Sequence, residues 1–288
     1  MFSEFAGLPS ELHIIIAVIF GLLVGSFLNV VIYRYPKLLK FQWTSQSQQW
    51  LEIEPNSTEE PPGIVKPPSH CGTCKSPVRA WQNIPVISYL FLKGKCANCK
   101  TAISLRYPMV ELLTGILSGY VVYQFGWSLQ SLTGLLLTWV LVALTFIDFD
   151  HQLLPDDIVL PVLWLGLGLS LIPVFSIPVD SIIGAICGYL CLWFVFHLFK
   201  IITGKEGMGH GDFKLLSLLG AWFGWQFLPQ IVLVSTVIGS VVGICLIVTK
   251  KVNKDNAIPF GPYIALAGWI AMIWGEKINT LYLDSLGL

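Results

Sequence analysis

Charge is what this sequence has least of. Of its 288 residues only 12% are Asp, Glu, Lys or Arg, where a soluble domain carries about 25%. Mean hydropathy is +0.72. A water-soluble globule of this length needs a charged surface, so a soluble enzyme is excluded. Net charge is missing too: 17 basic residues balance 17 acidic ones, which argues against a nucleic-acid partner held by bulk charge. Seven cysteines are too few for a disulfide scaffold. No basic segment precedes the first apolar run and no small-residue cleavage pattern follows it, so that run reads as an anchor rather than a cleaved signal. No internal repeat is evident.

What is present is a series of apolar runs. A bilayer crossing takes about 20 mostly apolar residues. Eight runs approach that length, at 12–33, 107–125, 129–147, 158–176, 181–201, 213–228, 229–249 and 258–275. The sixth and seventh are the weakest, because the sixth is short and only Pro229 marks a turn between them. Eight crossings place loops 34–106, 148–157, 202–212 and 250–257 on one side. Sixteen of the 17 Lys and Arg residues lie in or beside those loops, Lys250, Lys251 and Lys254 among them, and Lys277 is the exception. The positive-inside rule puts those loops in the cytoplasm and both termini outside. The chain thus reads as an all-α polytopic membrane protein of about eight transmembrane helices, with a cytoplasmic insertion after the first. Its domains are 1–33, 34–106 and 107–288. Within the insertion, Gln42 to Ser69 is polar and then acidic and Pro-rich, with Glu52, Glu54, Glu59 and Glu60, and reads as a solvated loop.

The insertion holds two C-x2-C pairs, Cys71-Gly-Thr-Cys74 and Cys96-Ala-Asn-Cys99. Two cysteines spaced in this way turn both thiolates onto one metal, and two such knuckles close a tetrahedron around zinc. A loop with so little core takes its fold from the metal, and a reducing cytoplasm disfavours disulfides. Redox-active or free thiols are the alternatives. His70 is not needed as a ligand beside four thiols. Cys187, Cys191 and Cys245 lie in apolar runs and read as small packing residues.

An aspartate in the bilayer costs about 2.5–3.5 kcal/mol and is a functional candidate by default. The third run reaches Asp148, then Asp150, His151, Pro155, Asp156 and Asp157; the sixth opens at Asp212, after Gly207-Met-Gly209-His-Gly211. Asp148 and Asp212, on two different runs, thus meet at one depth on one side. Facing carboxylates share a proton. The ionised one activates water and the protonated one donates to the departing or developing oxygen, which is aspartyl hydrolysis without metal. Gly207, Gly209 and Gly211 let the backbone leave helical geometry there. Asp150, Asp156, Asp157, His151 and His210 read as solvated polar residues. Glu111, after Arg106-Tyr-Pro108, is a further buried acid, with Arg106 as its candidate partner.

These residues resemble the type IV prepilin peptidases, the leader peptidase/N-methyltransferases, over nearly the whole chain. The resemblance is carried by Gly21-Leu-Leu-Val-Gly25-Ser-Phe-Leu-Asn29 through Arg34, the paired cysteine motifs, Ile103-Ser-Leu-Arg106 through Glu111, Ile147-Asp148 with Leu154-Pro155-Asp156, Gly209-His-Gly211-Asp212-Phe-Lys214, and Pro259-Phe-Gly-Pro-Tyr263. The long polar stretch 42–69 departs from the pattern. The resemblance implies catalytic aspartates at Asp148 and Asp212, supported by Gly209, Gly211 and Lys214, and metal-type cysteines at Cys71, Cys74, Cys96 and Cys99. It makes 107–288 a membrane aspartyl peptidase bundle. It implies a bacterial inner-membrane enzyme that cuts a basic leader from prepilins and pseudopilins at the cytoplasmic face and methylates the new amine with S-adenosylmethionine. No glycine-rich nucleotide loop is present; Gly94, Arg106 and Glu111 are the candidates for methyl transfer. Two other classes fit the composition: a lipid-phosphate transferase with magnesium on Asp148, Asp150, Asp156 and Asp157, and a non-enzymatic membrane scaffold with a zinc knuckle.

Overall fold

The computed structural model describes residues 9–53, 61–205, 207–249 and 258–285. Glu54, Glu59 and Glu60 of the acidic stretch, and the basic cluster Lys250, Lys251 and Lys254, lie outside the described residues. Among the described residues there are eight long helices and no strand. They are α1 (Ser10–Trp50), α2 (Arg106–Phe125), α3 (Leu129–His151), α4 (Asp156–Ser170), α5 (Pro178–Thr203), α6 (His210–Phe223), α7 (Leu228–Val248) and α8 (Gly261–Ser285). Each corresponds to one apolar run of the sequence. The protein is an all-α polytopic membrane protein. Four of the helices, α1, α3, α5 and the stretch Trp225–Val248 that includes α7, are long and apolar enough to cross a bilayer by length and composition.

The chain divides into two compact units, Met1–Ser131 and Leu132–Leu288. In the first, α1 and α2 pack along each other through small residues. A methyl added to Gly25 would stand 2.8 Å from Glu111 Cα, and one added to Gly115 would stand 2.9 Å from Leu22 Cγ. Close backbone approach between small residues is how helices associate where lipid supplies no hydrophobic drive. Asn29 Nδ2 donates to the Tyr107 carbonyl across this seam (3.1 Å).

The first helix corrects the sequence reading of 34–50 as loop. It runs unbroken through Pro36 to Trp50, 41 residues, or about 61 Å at 1.5 Å per residue, twice a bilayer core of about 30 Å. The run Lys37-Leu-Leu-Lys-Phe-Gln consists mostly of good helix formers, and polarity alone does not end a helix. The chain returns to it at Arg34, whose Nη1 donates to the carbonyls of Gly63 (2.9 Å) and Pro67 (2.7 Å).

In the second unit α6 is central and packs on α4, α5 and α8. Every residue from Asp212 to Phe223 except Lys214 is buried. That explains its weak signal as a span. Fourteen residues rise about 21 Å, short of the bilayer core, and neighbouring helices rather than lipid enclose it. The α5–α6 crossing is backbone against backbone at Gly184 and Gly220. It is tied by Ser181 Oγ donating to the Ala221 carbonyl and Ser217 Oγ donating to the Ala185 carbonyl (2.7 Å). Trp222 Nε1 donates to the Val162 carbonyl of α4 (2.8 Å). Trp269 Nε1 of α8 donates to Thr138 Oγ1 of α3 (3.1 Å).

Cys187, Cys191 and Cys245 do not pack inside the protein: all three are exposed on their helices. An apolar side chain of a membrane helix gains nothing by leaving lipid for protein, so an apolar run does not mark which of its residues face inward.

Candidate active site and cysteine cluster

Asp148 lies one turn before the end of α3. The helix closes behind it at Gln152, whose N–H donates to the Asp148 carbonyl (2.9 Å) from a left-handed conformation, φ 50°. The turn Leu153-Leu154-Pro155 then leads into α4, because Pro155 disfavours helical geometry at Leu154. Asp212 is the third residue of α6, after the extended Gly209 (φ −80°, ψ 146°) that opens the helix. The Asp212 N–H donates to the Gly209 carbonyl (3.2 Å).

The structure brings these two acids together and buries both. Asp148 is 5% exposed and Asp212 6%, and Leu154 lies against both Gly211, which precedes Asp212, and Gly261, which lies against Asp148. A methyl built on Gly209 would stand 3.8 Å from Asp212 Oδ2, and one built on Gly261 would stand 2.6 Å from Asp148 Oδ2. Asp148 Oδ2 is buried with no hydrogen-bond partner among the described residues. Two buried carboxylates with so few donors around them have the makings of a pair that shares a proton.

The other acids separate from this pair. Asp150, Asp156 and Asp157 are exposed. Lys214 Nζ donates to both oxygens of Asp156 at 2.7 Å, which ties the first turn of α6 to the first turn of α4. Lys214 thus pairs with an acid that the sequence reading left solvated. His210 packs its ring on Phe196 and Phe213, with centroids 5.1 and 5.4 Å apart. Among the described residues the four cysteines are the only group of three or more His, Cys, Asp or Glu side chains that could hold a metal. Among the described residues Asp148, Asp150, Asp156 and Asp157 form no such group, and the magnesium-transferase reading is not favoured.

In the first unit the four cysteine sulfurs lie within 4.8 Å of one another, with Cys71 and Cys99 Sγ 3.7 Å apart. Zinc–sulfur bonds of about 2.3 Å in a tetrahedron set sulfurs about 3.8 Å apart, so the donor set fits a closed zinc site. His70 is turned elsewhere, Nδ1 to the Pro68 carbonyl (3.3 Å).

The two knuckles are one turn used twice. Cys71 N–H donates to the Ser76 carbonyl and Lys75 N–H to the Cys71 carbonyl (2.9 and 3.0 Å); Cys96 N–H to Thr101 and Lys100 N–H to Cys96 match them (2.8 and 3.1 Å). Lys75 and Lys100 are both left-handed, φ 58° and 60°. Ser76 and Thr101 hydroxyls lie 3.0 and 3.2 Å from the sulfurs of Cys74 and Cys99. This is a local repeat that the sequence reading missed. Its only signal was the Lys followed by a hydroxyl residue after each second cysteine. The Ser76 hydroxyl and then its N–H hold the Cys74 thiol down to about 5, which favours the thiolate a metal needs.

Of the three methyl-transfer candidates, two are committed to the chain itself. Glu111, buried on α2, accepts from the Val86 N–H (2.7 Å). Val86 is held left-handed, φ 59°, a strained state for a β-branched residue. Glu111 thus anchors the segment leading into the second knuckle. Gly94 is left-handed (φ 66°), and a methyl there would stand 2.7 Å from the Tyr89 hydroxyl. Arg106 begins α2 and is half-buried.

This division of the molecule coincides with two family matches. Residues 19–125 match the bacterial peptidase A24 N-terminal domain, and residues 135–244 match the type IV leader peptidase family. Similarity extends over almost the full length. A prepilin leader peptidase/N-methyltransferase of Stutzerimonas stutzeri is 52% identical over 281 residues, 98% of this chain and 97% of that protein. The chain belongs to the type IV leader peptidase family. Proteins of the same name from Pseudomonas aeruginosa and Neisseria gonorrhoeae are 50% identical over 95% of this chain and 48% over 91%, covering 94% and 91% of their own lengths. No solved structure matches. Both buried aspartates fall within the leader-peptidase match, and all four cysteines within the N-terminal one.

Proposed function

We propose that this chain is an integral-membrane aspartyl endopeptidase of the bacterial inner membrane. It removes the leader from type IV prepilins and type II secretion pseudopilins at the cytoplasmic face, then methylates the new N-terminal amine. The observation that carries the peptidase reading is the meeting of Asp148 and Asp212, buried to 5% and 6% exposure at the ends of two helices, inside the segment matched by the leader-peptidase family. The ionised carboxylate takes a proton from water as the water attacks the scissile carbonyl. The protonated partner donates to the developing oxygen, and the proton taken from water is then handed to the leaving amine. Gly209 and Gly211 keep the approach to Asp212 open, and Lys214 braces its turn through Asp156. A substrate with a basic leader and an apolar mature helix lies in the bilayer with its junction at that same face, where 16 of the 17 basic residues of the enzyme cluster.

The cysteine cluster holds structural zinc, which folds residues 70–100 rather than entering the chemistry, because a four-thiolate site has no open position. S-adenosylmethionine supplies the methyl group in the second activity. Gly94, Arg106 and Glu111 are assigned to that activity, Glu111 and Gly94 through the shape they give the segment 84–96.

Full-length protein in detergent, mixed with a prepilin bearing its leader, gives a product whose mass reports both steps: a leader-sized loss and an added methyl. Asp148→Asn and Asp212→Asn each abolish leader loss while the protein still inserts, since an amide keeps the size and cannot ionise. Near wild-type cleavage by either variant refutes the aspartate pair.

A further inference from the structure

Helix α8 begins at Gly261, within Pro259-Phe-Gly-Pro-Tyr263. The first turn of a helix presents N–H groups without partners inside it. Here most are already used or missing. Tyr263 and Ile264 N–H both donate to the Phe260 carbonyl (3.1 and 3.3 Å), and Pro262 has none. Gly261 holds the remaining donor of that turn.

The approach leaves no room for a side chain. A methyl built on Gly261 would stand 2.6 Å from Asp148 Oδ2, 3.2 Å from its Cγ and 3.1 Å from Leu154 Cδ1. Leu154, itself 8% exposed, also closes on Gly211, where a methyl would stand 2.8 Å from its Cβ. One leucine is thus wedged between the glycine that precedes Asp212 and the glycine that touches Asp148. Among the described residues Oδ2 of Asp148 is buried and has no hydrogen-bond partner. A buried carboxylate oxygen without a donor costs free energy and is retained where a reacting water or substrate is to occupy its place.

We propose that Gly261 is a positioning residue of the aspartate pair: its missing side chain lets the first turn of α8 close on Asp148 while leaving Oδ2 open to the reaction, with Leu154 as the spacer to the α6 side. The proposal rests on Asp148 being one of the reacting acids. It extends the site to a third helix outside the span of the leader-peptidase match, which ends at residue 244.

The test uses full-length protein in detergent with a prepilin bearing its leader, and reads kcat, KM and thermal midpoint. Gly261→Ala lowers kcat about 100-fold, the effect of displacing a reacting group by about 1 Å, with KM within about threefold because substrate binding is untouched. Gly168→Ala, whose added methyl has no neighbour within 4 Å, keeps wild-type kinetics. The contact itself is read by a cycle: the drop in thermal midpoint caused by Gly261→Ala is at least halved in an Asp148→Ala background, where the oxygen it strikes is gone. If Gly261→Ala fails to accumulate, Asp148→Ala/Gly261→Ala accumulates. Near wild-type kcat for Gly261→Ala overturns the proposal, and so does an equal thermal loss, or equal failure to accumulate, in both backgrounds. Cleavage by Asp148→Asn would instead refute the aspartate pair, and the thermal cycle would still report whether the two residues touch.

Discussion

Substituting Gly184 tests whether the α5–α6 crossing fixes the position of Asp212. A methyl on Gly184 would run into the Gly220 carbonyl oxygen, and would stand 2.8 Å from its carbon and 2.9 Å from Gly224 C. These are backbone atoms, so no side chain can swing aside, and the helices must part. Overpacking of this kind costs about 1–3 kcal/mol. Parting also stretches two buried ties, Ser181 to the Ala221 carbonyl and Ser217 to the Ala185 carbonyl. Interhelical hydrogen bonds in membranes are each worth about 0.6 kcal/mol, so Gly184→Ala is expected to destabilise the protein by about 2–4 kcal/mol. Function should fall further than stability, because α6 carries Asp212 in its first turn and a shift of about 1 Å costs about 100-fold in rate. Thermal denaturation in detergent, followed by tryptophan fluorescence, reads the first quantity, and prepilin cleavage below the transition reads the second. Gly168→Ala controls for the substitution type. A Gly184→Ala protein with an unchanged midpoint and unchanged cleavage would show that the crossing does not hold the site.

Three further outcomes follow from other parts of the molecule. Cys74→Ser or Cys99→Ser is expected to release one metal per chain, measured by elemental analysis, and to open residues 70–100 to protease, while part of the leader cleavage survives; stoichiometric zinc in a protein lacking all four cysteines would refute the site. The Lys214–Asp156 pair is 28% and 50% exposed at its side chains, so it is worth at most about 1 kcal/mol. Lys214→Met and Asp156→Asn should slow cleavage modestly and equally, and the double variant should add nothing beyond either. In a background lacking native thiols, Ser47→Cys should label with impermeant reagents only from the cytoplasm and Trp127→Cys only from outside; labelling of both from one side would break the assigned topology.

Much of this protein was settled by the order of its residues alone. Eight helices could be placed because a bilayer demands internally satisfied backbone and apolar side chains over a fixed length, a constraint local to each run. The cysteine set was legible because C-x2-C spacing acts within one turn, and Asp148 and Asp212 stood out because acids at the ends of apolar runs are costly. Tertiary structure decided what depends on residues distant in the chain. Nothing in residues 34–50 announced that α1 would continue to Trp50, where Arg34 captures carbonyls 29 and 33 residues on. Glu111 accepts from the Val86 N–H, 25 residues away, a partner that nothing in the sequence named. Cys187, Cys191 and Cys245 read as packed and are exposed, since in lipid hydrophobicity no longer distinguishes inside from outside. Gly261 was visible only as part of a motif; its contact with Asp148, on a helix much earlier in the chain, exists because α3, α4, α6 and α8 converge at Leu154. Chemical type and local spacing follow from the sequence, whereas which polar atoms meet, and which glycine must stay bare, follow from how helices close on one another.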